Sequence, residues 1–285
     1  MNLAPTEVDP SRQMFPETLG QVPGRGRLQG RRVLVVGAGQ RTIPEEDPPT
    51  GNGRAISVLF AREGASVVCL DISAEAAQGT ADQIRREGGT AFVEVADVLD
   101  VPKIKGIVER AAQQLGGLDG LVLNVGISHG LPLPGITQET WDRELGINLR
   151  SHVFFAQAAL EAMAPGGSIV LMSSLAALRN NSRNPAYESS KAAQVALAGS
   201  IAVAGEARGI RCNAVLPGLM DTPMGRDATR RRPGRALGVP FARQGTGWEA
   251  AYATLFLVSN ESSYVNGHAL LVDGGLSIGV MRAAG

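Results

Sequence analysis

The run Arg32-Val33-Leu34-Val35-Val36, followed at once by Gly37-Ala38-Gly39, decides the fold class. Four consecutive aliphatic residues, three of them β-branched, suit a strand buried on both faces, and the glycines end it in a tight turn. Outward from this run, strand and helix signals alternate. Arg54 to Glu63 places Ala55, Ile56, Leu59 and Phe60 on one helical stripe, and Ser66 to Leu70 is a second apolar run ending in Asp71. The pattern continues with a helix near 73–87, a strand at 91–96, a helix near 101–115 and a strand at 119–124. Helices near 138–146 and 149–163 precede a strand at 168–172; a helix from 187 to about 207 precedes a strand at 211–216. A helix near 247–258 and a strand at Ala269 to Val272 complete the series. Strands separated by helices of this length join in parallel, with helices covering both faces of the sheet, which predicts a doubly wound α/β domain.

At 285 residues the chain has room for one large domain or two small ones. No boundary interrupts the alternation, so a single domain over 28–285 is expected. Residues 1–27 differ: Pro5, Pro10, Pro16 and Pro23 fall in a stretch with no periodicity, read as a flexible arm available to a partner subunit. The composition, 44% hydrophobic and 19% charged, is that of a globular chain, and a net charge of zero leaves no field that would gather nucleic acid or an anionic membrane. No apolar run has the length of a membrane span, and M-N-L-A-P-T-E-V-D-P lacks the basic and apolar parts of a signal peptide, so a cytoplasmic location is expected. Cys69 and Cys212 lie in predicted strands and are expected to be reduced, buried thiols. No His/Cys/Asp spacing suits a metal, and none is expected.

Two stretches carry chemistry. Gly37, Gly51 and Gly53 surround a turn that opens a helix, where backbone N–H groups and the helix N-terminus can face a pyrophosphate; a purely structural glycine turn would read the same. Asp71, at the end of the second strand, adds weight. A carboxylate there accepts hydrogen bonds from an adenosine ribose and repels a 2′-phosphate, favouring NAD over NADP. The second stretch is Ser174 to Lys191, S-L-A-A-L-R-N-N-S-R-N-P-A-Y-E-S-S-K, between an apolar strand and an Ala-rich helix. Tyr187 and Lys191, four residues apart, share a helix face. Lowering a tyrosine from a pKa of about 10 to about 7 takes roughly 4 kcal/mol, which one cation roughly 4 Å away supplies at an effective dielectric of about 20. An exposed Tyr and Lys that never meet is an equal reading of the spacing alone, although a chain with only three Tyr and three Lys seldom produces it by chance.

Taken together, these stretches resemble the short-chain dehydrogenase/reductase family from about Leu28 to Gly275. Gly37, Gly51 and Gly53 resemble the family's GxxxGxG with extra residues between the first two glycines. Asp97-Val98 resembles its adenine-contacting Asp-Val, and Leu123-Asn124-Val125-Gly126 its Asn-Asn-Ala-Gly, with the first Asn missing. Trp141-Asp142, Asn148-Leu149, Ser173-Ser174, Pro217-Gly218 with Thr222, and Val272-Asp273-Gly274-Gly275 follow in the family's order. The interval of 13 residues from Ser174 to Tyr187 is also the family's. The resemblance implies a single-domain Rossmann fold, a parallel sheet of about seven strands in the order 3-2-1-4-5-6-7. It implies catalysis by Asn148, Ser174, Tyr187 and Lys191: Tyr187 as acid/base, Lys191 lowering its pKa, Ser174 polarising the carbonyl and Asn148 in a proton relay. Cofactor contacts are implied for Gly37, Gly51, Gly53, Asp71, Asp97, Val98, Asn124, Gly126, Tyr187, Lys191, Pro217, Gly218 and Thr222. The expected activity is NAD-dependent interconversion of a secondary alcohol and a ketone. The alternatives are an NADP-dependent ketoreductase and a non-catalytic NAD-sensing scaffold.

The departures are as informative. An insertion near 40–50 lengthens the phosphate turn; its Glu45, Glu46 and Asp47 would repel a pyrophosphate if turned inward, while Pro44, Pro48 and Pro49 suggest a stiff loop directed outward. The extra closure entropy is only about 1 to 1.5 kcal/mol. A substrate lid is expected near 219–247, with Arg226, Arg230, Arg231, Arg232, Arg235 and Arg243 read mainly as solvated. Arg179, Arg183 and His129 flank the site, and His152 and His268 read as packing residues. Ala192, Ala193, Ala196, Ala198, Gly199, Ala202 and Ala204 leave the last long helix open to close approach, and the resemblance implies a homotetramer, with a dimer as the alternative.

Overall fold

In the computed structural model, which describes residues 9–179 and 184–279, β1 (Arg32–Val36) is an interior strand of a seven-stranded parallel sheet. α1 (Asn52–Arg62) carries the chain to β2 (Ser66–Asp71), and α2 (Ala74–Arg86) carries it to β3 (Thr90–Val95) at one edge. α3 (Val101–Leu115) then crosses back to β4 (Gly120–Leu123) on the other side of β1. Beyond it come α4 (Gln138–Leu145), α5 (Ser151–Ala162), β5 (Ser168–Met172), α6 (Pro185–Gly205) and β6 (Arg211–Pro217). β7 (Met220–Asp221) and β8 (Gly245–Thr246) form a separate two-residue ladder around α7 (Pro223–Arg231), and α8 (Gly247–Val258) leads to the last sheet strand, β9 (Ala269–Val272). The order is β3-β2-β1-β4-β5-β6-β9, the expected one, with its seventh strand ninth in the chain because the small ladder intervenes.

Alternation along β1 divides the core into two layers. Val33 and Val35 enter the layer of α1 and α8, with Ile56, Phe60 and Leu255; Leu34 and Val36 enter the layer of α3, α5 and α6, with Ile104, Phe155 and Ile201. Phe60 and Phe155 are wholly enclosed in opposite layers, so truncating either to Ala would cost about 3–5 kcal/mol. The predicted helices near 138–146 and 149–163 run together through a wide π turn at Gly146–Arg150, whose extra residue turns Asn148 into the interior.

Residues 9–27 of the N-terminal arm lie along this chain's own α8 and the end of α1. Thr246 Oγ1 donates to Thr18 O (2.7 Å), Arg62 Nη1 to Gly20 O (2.6 Å), and the N–H groups of Arg25 and Arg27 to Glu63 Oε2 (2.8 and 2.9 Å). Gly20, at φ +66°, lies so close to Trp248 that a Cβ would fall 2.1 Å from the ring. The crossovers leave the carboxyl ends of β1, β2, β4, β5 and β6 facing one crevice, where the strand order reverses between β1 and β4.

Candidate active site

At the carboxyl end of β1, Gly37 adopts φ +82° and donates to Leu70 O (2.8 Å), turning the chain across the sheet. Three neighbouring glycines differ in what requires them. A Cβ on Gly53 would fall 1.9 Å from Gly37 O, and one on Gly39 2.7 Å from Asp71 Oδ2, so packing within the chain excludes side chains at both. A Cβ on Gly51 would meet nothing nearer than Pro223 Cδ at 3.8 Å, so the space it leaves at the start of α1 is open toward the crevice. That open space beside a helix N-terminus fits a pyrophosphate.

Asp71 ends β2 with Oδ2 accepting from Gly39 N–H (2.9 Å) and Oδ1 from Ser73 N–H (3.1 Å), so the carboxylate holds the glycine turn from the side where a ribose would lie. Asn124, after β4, donates to Gly37 O (2.7 Å) and ties the two strand ends together. After β3, Asp97 is exposed and caps the N–H of Leu99 (2.9 Å), while Val98 is buried. Gly218 donates to Val272 O (2.9 Å) and could carry no Cβ, which would fall 2.7 Å from Asp273 Cβ; Thr222 caps α7 through Gly225 N–H (3.1 Å). Pro217 ends β6.

Ser174, Tyr187 and Lys191 gather between β5 and α6. Pro185 opens α6, which puts Tyr187 in its first turn and Lys191 in the next. Ser174 lies close enough to Tyr187 to favour its ionised form, and its Oγ accepts from Ala176 N–H (3.1 Å). Lys191 is buried, its Nζ 5.5 Å from the centroid of the Tyr187 ring, and donates to Met172 O (2.8 Å) and Gln194 Oε1 (3.3 Å). Gly126 brings the β4 loop against this pair: a Cβ there would sit 3.3 Å from Lys191 Nζ and 3.4 Å from Asn148 Oδ1. Asn148 clamps the same loop, accepting from Ile127 N–H (2.8 Å) and donating to Ile127 O (2.9 Å) and Ser190 Oγ (3.1 Å).

A family model described as enoyl-(acyl carrier protein) reductase matches residues 49–277. The chain is 35% identical over 255 residues to 3-oxoacyl-[acyl-carrier-protein] reductase FabG of Thermotoga maritima, covering 88% of this chain and 100% of the relative. It is 36% identical over 255 residues to cyclopentanol dehydrogenase of a Comamonas species, covering 88% and 98%. Among solved structures it superposes on a short-chain dehydrogenase/reductase from Burkholderia xenovorans with a TM-score of 0.83 at 33% identity, covering 90% and 99%. The chain belongs to the short-chain dehydrogenase/reductase family.

The electrostatics of this dehydrogenase/reductase differ from the expectation that Lys191 lowers the Tyr187 pKa. Burial pushes the Tyr187 phenol above its usual range; the Ser174 hydrogen bond pulls it down, the Glu144 carboxylate pushes it up and the Arg235 guanidinium pulls it down. Burial also depresses Lys191, to about 7, with Glu144 opposing. Lysine and tyrosine are driven toward their neutral forms for the same reason, withdrawal from water.

Three residues near this centre were not singled out as partners in the sequence. Gln194, buried one turn beyond Lys191, accepts from that lysine and donates to Asn148 O (2.5 Å) and His152 Nδ1 (3.0 Å). His152 lies 3.2 Å from Val125 O through Nε2, and burial holds it neutral with a pKa of about 3, in keeping with its reading as a packing residue. Glu144, 1% exposed, accepts from His129 Nδ1 (2.8 Å) and His129 N–H (3.2 Å), so His129 anchors a buried acid beneath the β4 loop. The signal for Gln194 was its i+3 spacing from Lys191 in a helix otherwise built of small residues.

The insertion and α7 form a single ionic cluster. Glu45 accepts from Arg226 (3.0 Å) and Arg230 (2.9 Å) of α7, Arg41 pairs with Asp227, and Arg226 also holds Asp221 (2.7 Å). Inside the insertion, Ile43 is buried and Gln40 accepts from Gly51 N–H (3.1 Å). Arg179 donates to Leu276 O; Arg183 lies outside the described residues. Cys69 and Cys212 are buried free thiols, Cys69 raised by burial to about 12. Among the described residues no helix is long and apolar enough to cross a membrane.

Proposed function

We propose that this protein is an NAD-dependent oxidoreductase that interconverts a secondary alcohol and a ketone. The observation that carries the reading is the gathering of Ser174, Tyr187, Lys191 and Asn148 between β5 and α6, with Lys191 Nζ 5.5 Å from the centre of the Tyr187 ring and Ser174 close enough to act on its phenol. A bound nicotinamide dinucleotide supplies the hydride acceptor or donor. Gly37, Gly51, Gly53 and the start of α1 would hold its pyrophosphate, Asp71 its adenosine ribose, Asp97 and Val98 its adenine, Asn124 and Gly126 the stretch toward the nicotinamide, and Pro217, Gly218 and Thr222 its far end.

Tyr187 Oη passes a proton to the carbonyl oxygen or takes one from the alcohol. Ser174 Oγ–H donates to the same oxygen where negative charge develops. The first turn of α6, with the Ser174 hydrogen bond, favours the phenolate against burial. Lys191 and Asn148, joined through Gln194 and Ser190, fix the geometry behind the tyrosine and offer the path by which its proton is replaced. Self-association as a homotetramer is proposed with this reading. The relatives named above act on an acyl-carrier ketone and a cyclic alcohol, so the substrate is not inherited from them.

The test is oxidation of a broad alcohol panel followed by NADH absorbance, with NAD and NADP in parallel. Turnover that depends on NAD and falls about 10²–10⁴-fold in Tyr187→Phe supports the reading. Dinucleotide binding without turnover of any alcohol, unaffected by Tyr187→Phe, would instead mark a sensing protein, and a preference for NADP would overturn the cofactor assignment.

A further inference from the structure

The six arginines of the lid separate into two groups. Arg226 and Arg230 are held by Glu45, Asp221 and Asp227, and Arg243 by Glu249 through two contacts of 2.7 and 2.8 Å. Arg231, Arg232 and Arg235 have no carboxylate partner among the described residues. Arg235 is the unusual one. Its Nη1 is buried without any hydrogen-bond partner, although a guanidinium has five N–H donors to satisfy and gains most when two of them grip one anion. An unpaired donor of this kind costs stability unless a ligand completes it.

Its position defines what such a ligand would be. Pro233 and Gly234, the latter at φ +78°, end the excursion of α7, and Arg235 opens the 3₁₀ turn that follows with its Nη1 buried. One side of the lid reaches the β4 loop, where a Cβ on Gly130 would lie 3.8 Å from Arg231 Cζ; the other rests on the C-terminal turn, where a Cβ on Gly274 would lie 3.1 Å from Val239 Cγ1. The segment therefore reaches from the β4 loop to the C-terminal turn, and Arg235 within it is close enough to act on the Tyr187 phenol. The groups acting on Arg235 are the positive Arg231 and Arg232 and the phenol of Tyr187, with no carboxylate among them. Glu144, a buried acid that acts on the phenol, is engaged by His129 (2.8 Å) and is not among the groups acting on Arg235.

We propose that the substrate carries a carboxylate, which Arg235 receives as a two-pronged ion pair while the carbinol or carbonyl carbon sits at Tyr187 and Ser174, Arg231 and Arg232 forming a positive rim. The protein is then a dehydrogenase/reductase of hydroxy acids and oxo acids. This rests on the oxidoreductase reading above and narrows its substrate class.

The experiment compares hydroxy acids having the carbinol α, β or γ to the carboxylate with their primary amides and methyl esters, as kcat/KM with NAD. The expected result is that at least one acid exceeds its own amide by about 10- to 100-fold, the range of a charge-assisted hydrogen-bonded pair. In Arg235→Met that ratio falls toward one, and in Arg235→Lys it is intermediate, because the charge remains and the fork is lost. Calorimetry with Tyr187→Phe loaded with NADH gives a second readout: the matching oxo acid binds, its amide does not, and adding Arg235→Met removes the binding. Acids and amides turned over equally, or an acid preference untouched by Arg235→Met, would overturn the proposal while leaving the oxidoreductase reading in place. Arg235-dependent binding of the acid without oxidation of any alcohol would overturn the oxidoreductase reading and keep the subsite.

Discussion

The ammonium of Lys191 lies 5.5 Å from the centre of the Tyr187 ring, yet its hydrogen bonds run away from the phenol, to Met172 O and Gln194 Oε1. Burial, which brings the pair together, also drives both toward neutrality, the lysine to about 7.

That shift has a consequence for stability. The Lys191 pKa is depressed in the folded chain relative to the ordinary 10.5 it regains on unfolding, so between those values the unfolded chain binds more protons and stability rises with pH. Below about 7 the lysine is charged in both states and the burial penalty is complete; above 10.5 it is neutral in both and the penalty is gone. Tyr187 has the opposite sign, costing stability only above its ordinary value of 10.0, where the unfolded phenol ionises and the folded one resists. Lys191→Met should therefore raise the Tm of the cofactor-free protein most near pH 6–7 and progressively less toward pH 9.5, while abolishing turnover. Denaturation scans across that range check it; a Tm difference independent of pH would mean that the lysine is not held out of water.

The glycines of the phosphate turn yield a paired prediction. Gly53→Ala forces a Cβ to 1.9 Å from Gly37 O and should prevent stable folding or lower Tm severely. Gly51→Ala has room within the chain, its nearest neighbour being Pro223 Cδ at 3.8 Å, and should leave Tm within a few degrees while weakening dinucleotide affinity about tenfold or more, because the methyl occupies the open end of α1. Thermal melts beside fluorescence titration with NADH separate the two effects. Gly51→Ala with undiminished affinity would remove the pyrophosphate from that position.

The strands and helices were legible because their signals are local: Val33 to Val36 requires two covered faces, and the period of Ala55, Ile56, Leu59 and Phe60 is helical whatever packs against it. Tyr187 and Ser174 were legible through spacing. The direction in which the Tyr187 phenol shifts was not, since it depends on how much water the folded cleft excludes, and no interval in the chain encodes that. Gln194 and Glu144 escaped because polar residues on helices ordinarily face solvent, and only the fold shows that these two do not. The acidic insertion raised the right electrostatic question, but its answer lies in α7, 181 residues from Glu45 at Arg226.

In the proposed NAD-dependent reading, Asp71 has two tasks that one substitution can separate. Its Oδ2 holds Gly39 N–H at 2.9 Å, a structural role that a neutral acceptor also fills, whereas discrimination against a 2′-phosphate requires the charge. Asp71→Asn should keep the fold and shift the ratio of kcat/KM for NAD over NADP toward NADP by about tenfold or more; Asp71→Ala should do the same with an added loss of Tm. An unchanged cofactor ratio in Asp71→Asn would show that the carboxylate does not read the ribose.

Glu45 bridges Arg226 and Arg230, so the insertion after β1 holds the first two turns of α7. These side chains remain partly in solvent, and each such pair contributes only about 0.2–1 kcal/mol, so Glu45→Gln should move Tm by no more than a few degrees. The local effect should be larger than the global one, because α7 otherwise rests on the short ladder of β7 with β8. Amide hydrogen exchange across residues 223–231 should quicken up to about fivefold in Glu45→Gln, and salt at about 0.5 M should reproduce much of that change in the unaltered protein by screening the cluster. Exchange in α7 that responds neither to Glu45→Gln nor to salt would show that the lid is held by its packing and not by the insertion.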